Sequence, residues 1–122
     1  MEQIKPFDND TYTSIENACA CQPYFSAVIV LADGDDIAER VHKCFTNIVQ
    51  RRGIKHVCTD AKFNQSCGLI FYDNGSRIRI GGQTELSKTR GFKYNAALVD
   101  KKITEPLPWL EPLIQDYKEM MK

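Results

Sequence analysis

Asp100 and Lys101 are the neighbours in this 122-residue chain whose types and placement bear most directly on chemistry. Ala96-Ala97-Leu98-Val99 is a short apolar run that delivers Asp100 at its carboxyl end. A carboxylate there can approach a divalent cation. Attack of water on a phosphate needs a second group beside it, normally a glutamate acting as base. The residues that follow are instead Lys101 and Lys102. A lysine is protonated near neutral pH and has no electron pair to accept the proton. An isolated aspartate next to two lysines is a poor metal site, so Asp100 is expected to cap a turn or to pair with Lys101 or an arginine. No residue is assigned a catalytic, cofactor-binding or metal-binding role.

Other side chains offer alternatives. Cys19-x-Cys21, His42-x-Cys44 and His56-x-Cys58 raise the question of zinc. On a helix, His42 and Cys44 point some 200° apart and cannot chelate together. His56 and Cys58 would share a strand face, with Cys19 and Cys21 available to join them; buried structural cysteines are the preferred reading. Two histidines and no nucleophile elbow leave no Ser-His-Asp or Cys-His arrangement to assign. Gly81-Gly82-Gln83-Thr84 lacks the lysine of a phosphate-binding loop and is not expected between a strand and a helix.

Basic and aromatic residues form a more extended pattern. Arg77 and Arg79 alternate onto one strand face. Lys88, Arg90, Lys93, Lys101 and Lys102 fall on loops expected to converge near the carboxyl end of the strand closing in Asp100, with Phe92 and Tyr94 as stacking rings. Clustered Lys and Arg suit phosphate contacts, although a solvated strand face and charged loop is the plainer reading. Residues 1–39 hold eight acids and one base, 40–102 thirteen bases and four acids, and 103–122 four acids and two bases. The formal net charge is zero. Such segregation suggests a basic surface between acidic ends, unless folding brings the blocks together.

The elements that must position these residues read as β/α alternation. A short helix is expected in 9–20, capped at Asp10, and a buried strand in 25–32. A helix over 35–52 places Ile37, Val41, Cys44, Phe45, Ile48 and Val49 on one face, with Gly53 as its stop. Residues 54–58 read as extended. Residues 68–72 and 77–80 alternate around Asp73-Asn74-Gly75, the pattern of a β-hairpin. Residues 83–94 form a polar loop or short helix, and 95–100 a second buried strand. Pro106, Pro108 and Pro112 punctuate a final helix carrying Trp109, Leu110, Leu113, Ile114, Tyr117 and Met121. That stripe reads as core packing, or as a partner-binding helix using Trp109, Leu113 and Tyr117. The fold class is therefore α/β: one domain over 1–122, with a partly parallel sheet, a β-hairpin and flanking helices. It divides into an N-terminal segment (1–24) with a short helix, a core (25–103) and a C-terminal helix (104–122). No apolar run reaches the roughly 18 residues that span a bilayer, and residues 1–10 lack a signal-peptide core. Five cysteines without framework spacing fit reduced thiols, so a host-cell cytoplasmic location is expected.

The order of these features resembles the ATPase domain of viral large terminase subunits, the motor that packages DNA. The resemblance spans about residues 25–103: a buried strand, an amphipathic helix, a hairpin with Asn74-Gly75-Ser76-Arg77-Ile78, the Thr89-Arg90-Gly91 phrase, and a strand ending in Asp100. It implies a P-loop-ATPase-like fold in degenerate form, with Asp100 where the family's magnesium-associated aspartate lies. The departures are the missing phosphate loop, Lys101 in the place of the catalytic glutamate, and no space within 122 residues for the family's nuclease domain. Loss of the phosphate loop removes most nucleotide affinity. The resemblance thus implies a catalytically inactive terminase-like protein of a phage or a phage-competing mobile element. Its expected partner is a packaging component (motor, small terminase or portal), and its effect to inhibit or redirect genome packaging. The alternative is a nucleic-acid-binding accessory domain using the basic segment 77–102. A functional ATPase completed in trans is the residual reading. No cofactor and no membrane partner are expected.

Overall fold

The run Ser26–Leu31 (SAVIVL) is buried at every position, so it has to be covered on both faces. The computed structural model describes residues 4–7, 12–52, 61–64, 67–72, 74–88 and 92–115. The elements are β1 (Ile4–Phe7), α1 (Tyr12–Cys21), β2 (Ser26–Leu31), α2 (Ile37–Arg52), β3 (Ala61–Asn64), β4 (Cys67–Phe71), β5 (Arg77–Gly82), α3 (Gln83–Ser87) and β6 (Ala96–Asp100). They build one mixed six-stranded sheet in the order β1-β6-β2-β5-β4-β3. Strands β1, β6, β2 and β5 run parallel, and β5, β4 and β3 are antiparallel. This is a single-domain α/β architecture with a β-hairpin and flanking helices.

Strand alternation feeds two cores. Ala27, Ile29, Leu31, Ile70, Ile78 and Ile80 meet Ile15 and Cys19 of α1 and Val41, Cys44 and Ile48 of α2 on one face. The positions 41, 44 and 48 recur at helical spacing, which is why α2 buries one stripe and leaves Glu39, His42, Lys43 and Asn47 exposed. Val28, Val30 and Ala97 meet Leu86 of α3 with Tyr94, Leu107 and Leu110 on the other face. Full burial of one such aliphatic side chain contributes about 1.5–3 kcal/mol.

Two features depart from the sequence expectations. The N-terminal segment carries a strand, β1, as well as a helix. Pro6 is tolerated because, among the described residues, β1 pairs with β6 alone and lies at the sheet edge, where a missing N–H costs little. The expected C-terminal helix is not formed over 104–115, which holds turns and a single 3-10 turn, Glu111–Leu113. Pro106, Pro108 and Pro112 each remove an amide donor and bias the preceding residue away from the helical region. The chain is held instead by the Tyr94 N–H donating to Leu113 O (2.8 Å) and the Gln115 N–H donating to Tyr94 O (2.8 Å). The rest of the expected helix, with Tyr117 and Met121, lies outside the described residues, as do 54–58. No helix among the described residues is long and apolar enough to cross a membrane.

Candidate functional site at the carboxyl ends of the parallel strands

In open α/β sheets the crevice outside the carboxyl ends of parallel strands is where ligands bind. Here Phe7, Asp100, Leu31 and Gly82 end the four parallel strands side by side. Asp100 is 13% exposed at its side chain and accepts three hydrogen bonds. Its Oδ2 takes the Ala32 N–H (3.1 Å) and a guanidinium N–H of Arg40 (3.4 Å). Its Oδ1 takes the Lys102 N–H (3.1 Å), while the Ile103 N–H donates to Asp100 O (2.9 Å). Asp100 therefore caps the turn that follows β6 and pairs with an arginine. A cation at Oδ2 would have to displace that guanidinium.

Arg40 gathers the strand ends. Besides Asp100 it donates to Ala32 O and, through Nε, to Asp36 Oδ1 (3.1 Å). One side chain on the first turn of α2 thus ties together the end of β2, the end of β6 and the β2–α2 loop. The Asp36 contact is with a side chain 63% exposed, so it contributes about 0–1 kcal/mol. The more buried Asp100 contact has less solvent screening.

The Gly81-Gly82-Gln83-Thr84 phrase, expected outside any strand-to-helix junction, is in fact the junction of β5 and α3. The two glycines allow close approach. A Cβ on Gly81 would lie 2.9 Å from Leu86 Cγ, and one on Gly82 3.0 Å from both Asp33 Oδ1 and Ile37 Cγ1. The anion at the start of α3 comes from the chain itself. Asp33 Oδ1 accepts the Thr84 N–H (3.2 Å), and Oδ2 accepts the Thr84 hydroxyl. Arg40 was not singled out in the sequence, and Thr84 entered only as the end of the Gly-Gly phrase. Their only local signal is the four-residue Asp36–Arg40 spacing, since the other partners are 51 and 60 positions away.

Among the described residues, Lys101 and Lys102 stand at this end, and Lys93 does not join them. Lys101 and Lys102 are exposed in the turn after Asp100. Arg77 and Arg79 are half-buried at the opposite end and on the second face, with guanidinium carbons 5.5 and 4.0 Å from the centroid of one ring, Phe92. Lys93 is exposed and donates to Pro112 O (3.2 Å). Lys88 caps the end of α3 and is exposed. The alternation of Arg77 and Arg79 follows from strand period; the separation from Lys101 follows from β6, whose five residues span about 13 Å. Trp109 and Leu113 are half-buried against the second core and not displayed on a helix. Arg90 and Tyr117 lie outside the described residues.

The Asn74-Gly75-Ser76 turn has a structural task. Asn74 Nδ2 donates to Cys19 O (2.7 Å), and Ser76 Oγ donates to Gln22 O (2.6 Å) while accepting the Phe25 N–H (3.0 Å). The turn thereby caps carbonyls at and just beyond the carboxyl end of α1. Gly75 has φ +88°, and Tyr24, itself at φ +59°, lies against it. Cys19 and Cys44 are buried, Cys21 is exposed, and His42 is exposed. Among the described residues no three of His, Cys, Asp and Glu are grouped to hold a metal; His56 and Cys58 lie outside them.

Comparison with protein-family models, curated proteins and solved structures found no significant match to this chain.

Proposed function

We propose that the chain is a catalytically inactive, terminase-ATPase-like protein of a phage or phage-competing mobile element. It acts by binding a DNA-packaging component and inhibiting or redirecting packaging. The observation that carries this reading is the state of Asp100. The carboxylate at the end of β6, the place of a magnesium-associated aspartate in the resemblance, is engaged by Ala32 N, Arg40 and Lys102 N, and the next side chain is a lysine. The start of α3, at the end of β5, is also supplied with an anion, Asp33. With both features turned to holding strand ends together, what such a scaffold still offers is its shape and surface. A chain shaped like part of a motor inherits a surface complementary to the motor's partners.

Affinity capture of the tagged protein from phage-infected cells tests this. Motor, small terminase or portal protein is expected in the eluate, retained through a wash at roughly 0.5 M salt, where exposed charge contacts are screened. Recovery of none of the three packaging proteins contradicts the proposal. The second reading, a nucleic-acid-binding accessory domain, is favoured by the Arg77–Arg79–Phe92 arrangement alone, and steep salt dependence would distinguish it.

A further inference from the structure

Arg77 and Arg79 leave the same face of β5 two residues apart, hence about 6.6 Å along the strand. Directly opposite them on β4 stand Phe71 and Leu69. Opposite residues of an antiparallel pair share a face, so Phe71, Leu69, Arg77 and Arg79 form one patch. All four are half exposed, as is Phe92, over whose ring both guanidiniums lie. The helices that cover this part of the sheet do so from the other side, where Ile70, Ile78 and Ile80 are fully buried.

Among the described residues no carboxylate pairs with Arg77 or Arg79; the carboxylate ion pairs are those of Arg40 with Asp36 and Asp100. Among the described residues, the hydrogen-bonding side-chain partners of Arg77 and Arg79 are the Ser26 hydroxyl at 3.4 Å and the Cys67 sulfur at 4.0 Å, both long contacts. Two neighbouring cations, partly desolvated and held against one ring, repel each other until an anion bridges them. A guanidinium held over a ring still presents N–H donors, and that fork matches phosphate oxygens.

We propose that this sheet face binds single-stranded nucleic acid, with Arg77 and Arg79, held over the Phe92 ring, on phosphates and Phe71 as the apolar platform for bases. Paired aromatic and guanidinium groups on a flat surface suit unpaired bases, because each base presents a π-face that a duplex keeps inside its stack. An acidic peptide would satisfy the charge alone and leave Phe71 without a role. The proposal rests on the second, nucleic-acid-binding reading above and is independent of the packaging-component reading, whose surface is tested separately.

Fluorescence anisotropy with a labelled oligothymidylate of about twelve nucleotides tests the proposal. Saturable binding is expected, stronger than to a duplex of equal length, with log affinity falling against log salt at a slope of about −1.4 for two phosphate contacts. The Arg77→Gln, Arg79→Gln double variant should lose at least about tenfold, and Phe71→Leu roughly fivefold. Lys101→Gln with Lys102→Gln, at the other end of the sheet, should change affinity by less than about twofold. If the glutamine pair melts at a lower temperature than the parent, Arg77→Lys with Arg79→Lys replaces it; that pair should keep the salt slope and lose affinity. No saturable binding at about 50 mM salt, an equal loss from the lysine pair, or displacement by polyglutamate at equal charge concentration overturns the proposal.

Discussion

At the scale of single residues, Asp100 illustrates how one carboxylate can occupy a catalytic-looking place while serving the frame. Its oxygens join the turn after β6, the end of β2 and the first turn of α2. Bonds to a charged group contribute about 1.5–3 kcal/mol each, but three sharing one carboxylate are not additive. Asp100→Ala should therefore lower unfolding free energy by about 2–3 kcal/mol, read by urea denaturation at an unchanged m-value. Arg40→Ala removes the same link from the other side. The double variant should cost about 1–2 kcal/mol less than the two single losses together. Additive losses would mean that the Asp100–Arg40 contact does not couple the strand ends.

At the scale of elements, the hairpin and α1 stand or fall together. Ser76 is fully buried, and its hydroxyl serves both the Phe25 N–H and Gln22 O. Ser76→Ala leaves both groups unsatisfied and should cost about 1–3 kcal/mol, with early exchange of the Phe25 amide in hydrogen-exchange measurements. An unchanged amide protection would refute this role. The hairpin, β2 and α2 were legible in the sequence because each follows one period without interruption: alternation around Asn74-Gly75, a continuous β-branched run, and 41-44-48 spacing. β1 was not, since four residues containing a proline show neither period. The C-terminal segment misled for the opposite reason. Leu110, Leu113 and Ile114 have helical spacing and do reach the core, but through turns, because three prolines withhold the donors that a helix requires. The strand-end network was invisible because it joins Asp33 to Thr84 and Arg40 to Asp100, pairs separated by 51 and 60 residues.

At the scale of the whole molecule, the segregated charge of the sequence is distributed over two distinct places. Basic side chains at Lys101 and Lys102 flank the carboxyl ends of the parallel strands, with the acids Asp33, Asp35 and Asp36 in the neighbouring β2–α2 loop. Arg77 and Arg79 lie at the far end of the second face. The sheet thus carries basic side chains at two ends, and the carboxylate at the carboxyl ends of the parallel strands is closed off by the chain's own ion pair and caps. Isothermal titration of the purified protein with magnesium ATP tests that closure most directly. With Asp100 held by Arg40 and with Asp33 at the start of α3, no saturable heat is expected up to millimolar nucleotide, and Asp100→Asn should leave the titration unchanged. Micromolar binding by the parent protein, abolished in Asp100→Asn, would contradict it.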